Sequence, residues 1–80
     1  MRLDKYLKVS RLIKRRSVAA DACGASRVLV NGKEAKPAKE VKVGDVIEIL
    51  YGMNTLRVRV TAISEVTKKA ESSELYEVIE

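Results

Sequence analysis

The residues able to do chemistry in this chain are cationic, and they crowd one end of it. Arg2, Lys5, Lys8, Arg11, Lys14, Arg15 and Arg16 place seven positive charges within residues 1–20, against the single acid Asp4. Positive charge at that density on a foldable segment suits a polyanion. Guanidinium groups match phosphate oxygens two at a time, whereas ammonium groups act as point charges. Lys14-Arg15-Arg16 stands just ahead of a helix expected over 17–23. Free backbone N–H groups and the positive end of the helix dipole emerge there, and both favour a phosphate. Arg27, Asn31 and Lys33 flank the same region from an expected hairpin. The candidate binding set is therefore Arg2, Lys5, Lys8, Arg11, Lys14, Arg15, Arg16, Arg27, Asn31 and Lys33.

Catalysis is not indicated. There is no histidine, which removes the commonest general base and the commonest zinc ligand. One cysteine, Cys23, builds neither a disulfide nor a thiolate metal site, and it reads as a small buried hydrophobe. No Gly-rich phosphate loop is present. Asp45 after Gly44 reads as a turn residue. Asp4 supports the first helical turn, or pairs with Arg2 or Arg11, and does not touch a ligand. No catalytic residue, metal ligand or cofactor is expected.

The elements that must position the cations follow from periodicity. With Leu3 at zero on a helical wheel, Tyr6, Leu7 and Ser10 share its side while Lys5 and Lys8 point away. The first helix is expected over 3–9, with Leu12 and Ile13 packing from a bend. Tyr6 faces the core on this spacing; the alternative is stacking on a base. In the second helix Val18, Ala19, Ala22 and Cys23 share a face, and Gly24 suits a left-handed stop. Residues 28–30 and 33–36 make a hairpin around Asn31-Gly32, a pair that fits a type I′ turn. Lys33, Lys36 and Lys39 keep the basic character going, and Pro37 ends the second arm or puts it on an edge. Strands are expected over 46–50, 56–63 and 75–79, with a turn at Gly52-Met53-Asn54. In 56–63 Leu56, Val58, Val60 and Ala62 face opposite to Arg57 and Arg59. In the last strand Leu75, Glu77 and Ile79 lie opposite Tyr76 and Val78. Residues 64–73 read as a loop or a weak helical turn capped by Thr67.

The sum is an α+β fold, with two short N-terminal helices packed on a small curved antiparallel sheet. Eighty residues make a single domain over 1–80, with the basic motif and hairpin in 1–45 and the strands and tail in 46–80. The net charge of +5 is uneven: residues 1–40 hold eleven bases and four acids, net +7, and residues 41–80 hold five and seven, net −2. No apolar run approaches a membrane span of ~20 residues, and a reduced, cytoplasmic setting is compatible with the lone cysteine.

Several motifs converge on one family. Arg2-Leu3-Asp4, Leu7, Arg16-Ser17-x-Ala19, Gly24, Val28, Val30-Asn31-Gly32 and Val43-Gly44-Asp45 together resemble the S-four type RNA-binding domain. That resemblance implies an alpha-L motif, in which two helices and a hairpin loop form an L-shaped RNA-binding face. Within the family the chain is most similar to the small free-standing members, the heat-shock-protein-fifteen type and the RqcP branch. The residues behind this are 2–16, Ala35-Lys36-Pro37 with Lys39, and Val66-Thr67-Lys68-Lys69-Ala70-Glu71 with Leu75-Tyr76. The resemblance implies binding to the large ribosomal subunit carrying a stalled peptidyl-tRNA. Contacts would be to ribosomal RNA and tRNA, in support of an RqcH-type factor that adds C-terminal alanine tails. By motif match Arg2, Lys5, Lys14, Arg15, Arg16, Arg27 and Asn31 carry those contacts. The family often has Ser or Thr as a helix cap where this chain has Arg15, with Ser17 nearby to contribute. The expected form is a cytoplasmic monomer with no membrane contact.

RNA is favoured over DNA, because neither helix has the length of a major-groove reading helix. A curved basic face suits recognition of structured RNA by shape and phosphate. Two alternatives stand beside the quality-control reading. One is a general structured-RNA or ribosome-assembly protein; the other is a protein–protein adaptor with a basic face.

Overall fold

Helix α1 (Leu3–Val9) forms where the wheel places it, and its apolar side is fully withdrawn from water. Leu3, Tyr6, Leu7 and Ser10 are all buried. The Tyr6 hydroxyl donates to the Leu75 carbonyl at 2.6 Å, so the ring fills the core while its polar end is satisfied. Burial pushes the Tyr6 phenol well above its ordinary pKa, which keeps it a neutral donor. After Ser10 the chain reverses through Arg11, whose φ is +62°. Leu12 and Ile13 then pack against the core from the bend, as expected. The computed structural model describes residues 1–63 and 75–79. The stretch 64–73, with the cap assigned to Thr67, lies outside the described residues.

Helix α2 spans Arg16–Gly24, one residue longer at each end than expected. Its buried stripe is Ala19 and Cys23, with Ala22 at the margin. Val18, expected on that face, is half exposed. At about 100° per residue it falls beyond Ala22 on the side away from Cys23, outside the narrow stripe. The Cys23 thiol is pushed up to about 11, mainly by burial, so it stays protonated and unreactive.

The helix stop also differs from expectation. Gly24 remains helical, and the left-handed residue is Ser26 with φ +60°. The Ser26 N–H donates to the Cys23 carbonyl at 3.1 Å and the Arg27 N–H to the Ala22 carbonyl at 2.9 Å. These are the two bonds of a Schellman motif, whose left-handed position usually holds glycine. A serine there carries a conformational cost that glycine avoids. Ser26→Gly is therefore expected to stabilise the fold by about 1 kcal/mol, raising Tm by roughly 4–8 °C. Thermal unfolding followed by circular dichroism checks this; an unchanged or lower Tm would show that the serine conformation carries no cost.

Five strands make one antiparallel sheet in the order β2-β1-β3-β4-β5. They are β1 (Val28–Val30), β2 (Lys33–Glu34), β3 (Val46–Tyr51), β4 (Asn54–Val60) and β5 (Tyr76–Val78). Asn31 and Gly32 both have positive φ, +53° and +82°, as a type I′ turn requires. The second hairpin arm stops at Glu34 instead of residue 36. It is an edge strand, and the chain leaves it ahead of Pro37, which has no N–H for a ladder. Asn54 pairs with Tyr51, so it belongs to β4, and the β3–β4 turn shrinks to Gly52-Met53. β4 ends at Val60, because the N–H groups of Thr61 and Ala62 turn to the Leu75 carbonyl at 2.9 and 3.3 Å.

The alternation expected of β4 holds along its length. Val58 and Val60 are buried, Leu56 is half-buried, and Arg57 and Arg59 face out. Arg57 meets Glu48 at 3.3 Å and Arg59 meets Glu77 at 2.9 Å on the outer face. In β5, Tyr76 and Val78 stand opposite Val60 and Val58. Val78 is nevertheless mostly exposed, because β5 is the other edge of the sheet.

The core lies between the helix pair and one face of the sheet. Leu3, Tyr6 and Leu7 of α1 and Ala19 and Cys23 of α2 meet Val28, Val30, Ile47, Ile49, Val58 and Val60. A single turn ties the sheet to the basic hairpin. The Asp45 carboxylate accepts the Lys42 N–H at 2.9 Å and the Asn31 side-chain amide at 3.2 Å. Asp45 is thus the turn residue expected of it.

Candidate nucleic-acid interface

The two helices present their N-termini very differently. At α1 the free N–H groups are already occupied by the chain itself. Leu3 donates to the Lys39 carbonyl at 2.8 Å and Asp4 to the Pro37 carbonyl at 3.1 Å. Lys5 donates its N–H to Asp4 Oδ1 at 2.8 Å. At α2 the residue ahead of the helix is Arg15, in extended conformation, and no side chain caps the first turn. Ser17, expected to contribute a cap beside Arg15, makes none. The first N–H groups of α2 have no helical acceptor, and Lys14, Arg15, Arg16, Ser17 and Val18 are all exposed around them. Of the two helix N-termini, α2 keeps the one suited to an anion.

Asp4 organises the arginines beside that opening. Its side chain is only 6% exposed. Oδ2 accepts Arg2 Nη2 at 3.2 Å and lies 3.5 Å from Arg16 Nε. Of the two expected partners Arg2 pairs with Asp4, and Arg16 stands where Arg11 is expected. Both arginines remain about half exposed, at 53% and 49%. A buried carboxylate thus gathers two guanidinium groups, one from the start of each helix, and holds them at the surface. Because Arg16 meets Asp4 through Nε, its terminal Nη pair is left to grip an anion. The pairing of residues 4 and 16 has no signature in spacing. It exists only because α1 packs on α2.

The remaining candidates take several positions. Lys8 is exposed in the last turn of α1, where a cation also suits the helix dipole. Lys5 is half-buried on the same helix. Arg11 is exposed in the bend in a left-handed conformation, a backbone state that costs about 1–3 kcal/mol and clusters at functional sites. Lys14 and Arg15 are exposed just ahead of α2. Arg27 is exposed but follows the other end of α2, and nine helical residues extend about 13 Å. It therefore stands apart from Arg15 and Arg16.

Asn31 has a mostly internal role. Its side-chain oxygen accepts the Val46 N–H at 3.0 Å and its amide donates to Asp45. The side chain pins the hairpin turn to β3. Lys33, beside it, is exposed. Among the described residues no group of His, Cys, Asp or Glu could hold a metal ion, and no helix is long and apolar enough to cross a membrane.

Comparison with known proteins agrees with this fold. The S4 domain model matches residues 1–47, the part that carries both helices and the basic hairpin. The RQC P-site tRNA stabilizing factor of Halalkalibacterium halodurans is 50% identical over 78 residues, covering 98% of this chain and 89% of that protein. The protein of the same name from Streptococcus pneumoniae is 48% identical over 79 residues, covering 99% and 90%. Among solved structures, the trimeric Heat Shock Protein 15 of Vibrio cholerae superimposes with a TM-score of 0.91 at 32% identity, covering 99% of this chain and 81% of that one. The helix pair and the five-stranded antiparallel sheet thus match the fold of these neighbours, and the chain belongs to the S4 domain family, among its small members of the RQC P-site tRNA stabilizing factor and Heat Shock Protein 15 kind.

Proposed function

We propose that this protein is a non-catalytic RNA-binding factor of ribosome-associated quality control in the cytoplasm. It binds the large subunit that carries a stalled peptidyl-tRNA and steadies the tRNA in the P site. The basic front of α1 and α2 contacts tRNA and ribosomal RNA, and by holding the tRNA the protein supports alanine tailing by an RqcH-type factor. The observation that carries this reading is the Arg2–Asp4–Arg16 cluster at the open N-terminus of α2. It provides two oriented guanidinium groups and free backbone donors at one place, which is what a structured phosphate backbone requires. The names of the relatives supply the choice of RNA. The contact set is Arg2, Lys5, Lys8, Arg11, Lys14, Arg15 and Arg16, with Arg27 and Lys33 at its margins and Asn31 holding the hairpin.

Co-sedimentation at near-physiological salt tests the assignment. The protein is expected to pellet with large subunits carrying peptidyl-tRNA, and much less with empty large subunits or small subunits. Equal pelleting with all three particles would replace this reading with a general RNA binder. Failure to pellet with any would favour a protein adaptor.

A further inference from the structure

Beside the helical front lies an open groove of about 830 Å³ lined by Val30, Asn31, Glu34, Ala35 and the loop that follows. Three exposed lysines, Lys33, Lys36 and Lys39, stand on its walls with one acid, Glu34. None of the three has a carboxylate partner among the described residues. Lys36 and Lys39 are brought together by a turn. The Lys39 N–H donates to the Lys36 carbonyl at 3.0 Å, and Pro37 occupies the second position, where its fixed φ suits a β-turn. The Cα atoms of the two lysines are therefore within about 7 Å of one another.

This lysine turn is fastened to the arginine cluster. Its Pro37 and Lys39 carbonyls accept the Asp4 and Leu3 N–H groups, and Asp4 is the residue that gathers Arg2 and Arg16. Arg2 also forms a backbone bridge with Glu40, just past the turn. The nearby Glu40 carboxylate is engaged by the N-terminal amine, which holds its pKa below the ordinary carboxylate range. Lys36 and Lys39 are thus joined through the start of α1 to Arg2 and Arg16, and Lys33 lines the same groove.

We propose that the groove is a second RNA contact, a track for the phosphate backbone of a strand that leaves the helical front. This rests on the RNA reading above and extends it to Lys36 and Lys39. Ammonium groups on flexible stems neutralise phosphates without reading bases. The groove contributes affinity and strand direction; sequence preference does not change with it.

The test measures binding to large subunits carrying peptidyl-tRNA across a salt series, for wild type, Lys36→Gln/Lys39→Gln, and Arg57→Gln/Arg59→Gln. The last variant removes the same charge from the outer face of the sheet. Two lost phosphate contacts are expected to reduce the slope of log affinity against log salt by about 1.5, with the Arg57/Arg59 variant at wild-type slope. Lys36→Arg/Lys39→Arg is expected to restore the wild-type slope. Equal slope loss in both glutamine variants would reduce the effect to net charge and overturn the groove. A wild-type slope for Lys36→Gln/Lys39→Gln, with binding still dependent on Arg16, would overturn the groove and leave the helical front standing. Salt-independent binding that ignores Arg16 would remove the RNA reading and the groove together.

Discussion

Arg16→Ala is expected to weaken binding to the peptidyl-tRNA-bearing large subunit by about 2 kcal/mol, roughly 30-fold. Arg16 is the first residue of α2 and stands beside the backbone donors that the helix leaves open. Its Nε is turned to Asp4, so the variant loses the Nη fork and a charge at the positive end of the helix dipole together. Stability is expected to change by less than about 1 kcal/mol, since Arg16 is half exposed and Asp4 keeps Arg2. Arg16→Lys keeps the charge without the fork and is expected to recover only part of the loss. Full recovery would show that charge alone acts at this position. Unchanged affinity in Arg16→Ala would place the RNA elsewhere. Equilibrium binding at fixed salt, with circular dichroism on the same samples, separates these outcomes.

Asp4→Asn is expected to lower both stability and affinity, for one structural reason. The carboxylate is nearly buried and serves the Lys5 N–H, Arg2 and Arg16. The amide keeps one acceptor oxygen but turns a donor toward guanidinium groups that have nothing to accept with. Removing one partner of a buried charge cluster is costly because the other charges remain. With both arginines half exposed, much of that cost is relieved by water, and about 2 kcal/mol remains. For a domain of this size Tm falls by roughly 10 °C. Binding gives the sharper test. The variant is more positive by one charge, so charge alone would raise affinity for RNA. A lower affinity at a temperature where both proteins are folded shows that Asp4 acts by positioning Arg2 and Arg16. A higher affinity would refute the positioning role. In a double-mutant cycle, Asp4 and Arg16 are expected to couple by about 1 kcal/mol in unfolding; additive effects would mean that the 3.5 Å approach does not stabilise the fold.

Both variants act through one design. Asp4 anchors the start of α1, Arg16 starts α2, and the turn at 36–39 closes over the N-terminus of α1 with its carbonyl groups. That closure leaves only α2 with an open N-terminus. Of two similar basic helix starts, only the one proposed to bind RNA is thereby left open.

The elements were readable because each is written in local periodicity. Leu3, Tyr6, Leu7 and Ser10 define the buried side of α1 without reference to any neighbour. Asn31-Gly32 specifies its turn through backbone sterics alone, and the alternation of Leu56, Val58 and Val60 against Arg57 and Arg59 reports a sheet with one buried face. The crowding of cations in residues 1–20 likewise needs no coordinates, and it points to polyanion binding. Pattern reaches no further than the element that carries it. The width of the buried stripe on α2, which leaves Val18 exposed, depends on how closely α1 approaches. The left-handed residue moved from Gly24 to Ser26 because the Schellman bonds are set by where the chain must turn to enter β1, and that destination overrides the preference of one glycine. That the Asn31 side chain also holds Asp45 and Val46, distant in the chain, is likewise invisible to its turn motif. The pairing of Asp4 with Arg16, and the lysine turn fastened to both, join residues 4, 16 and 36–39. Periodicity names the side of a helix or strand that is buried; only the packing of one element on another decides which charges meet there.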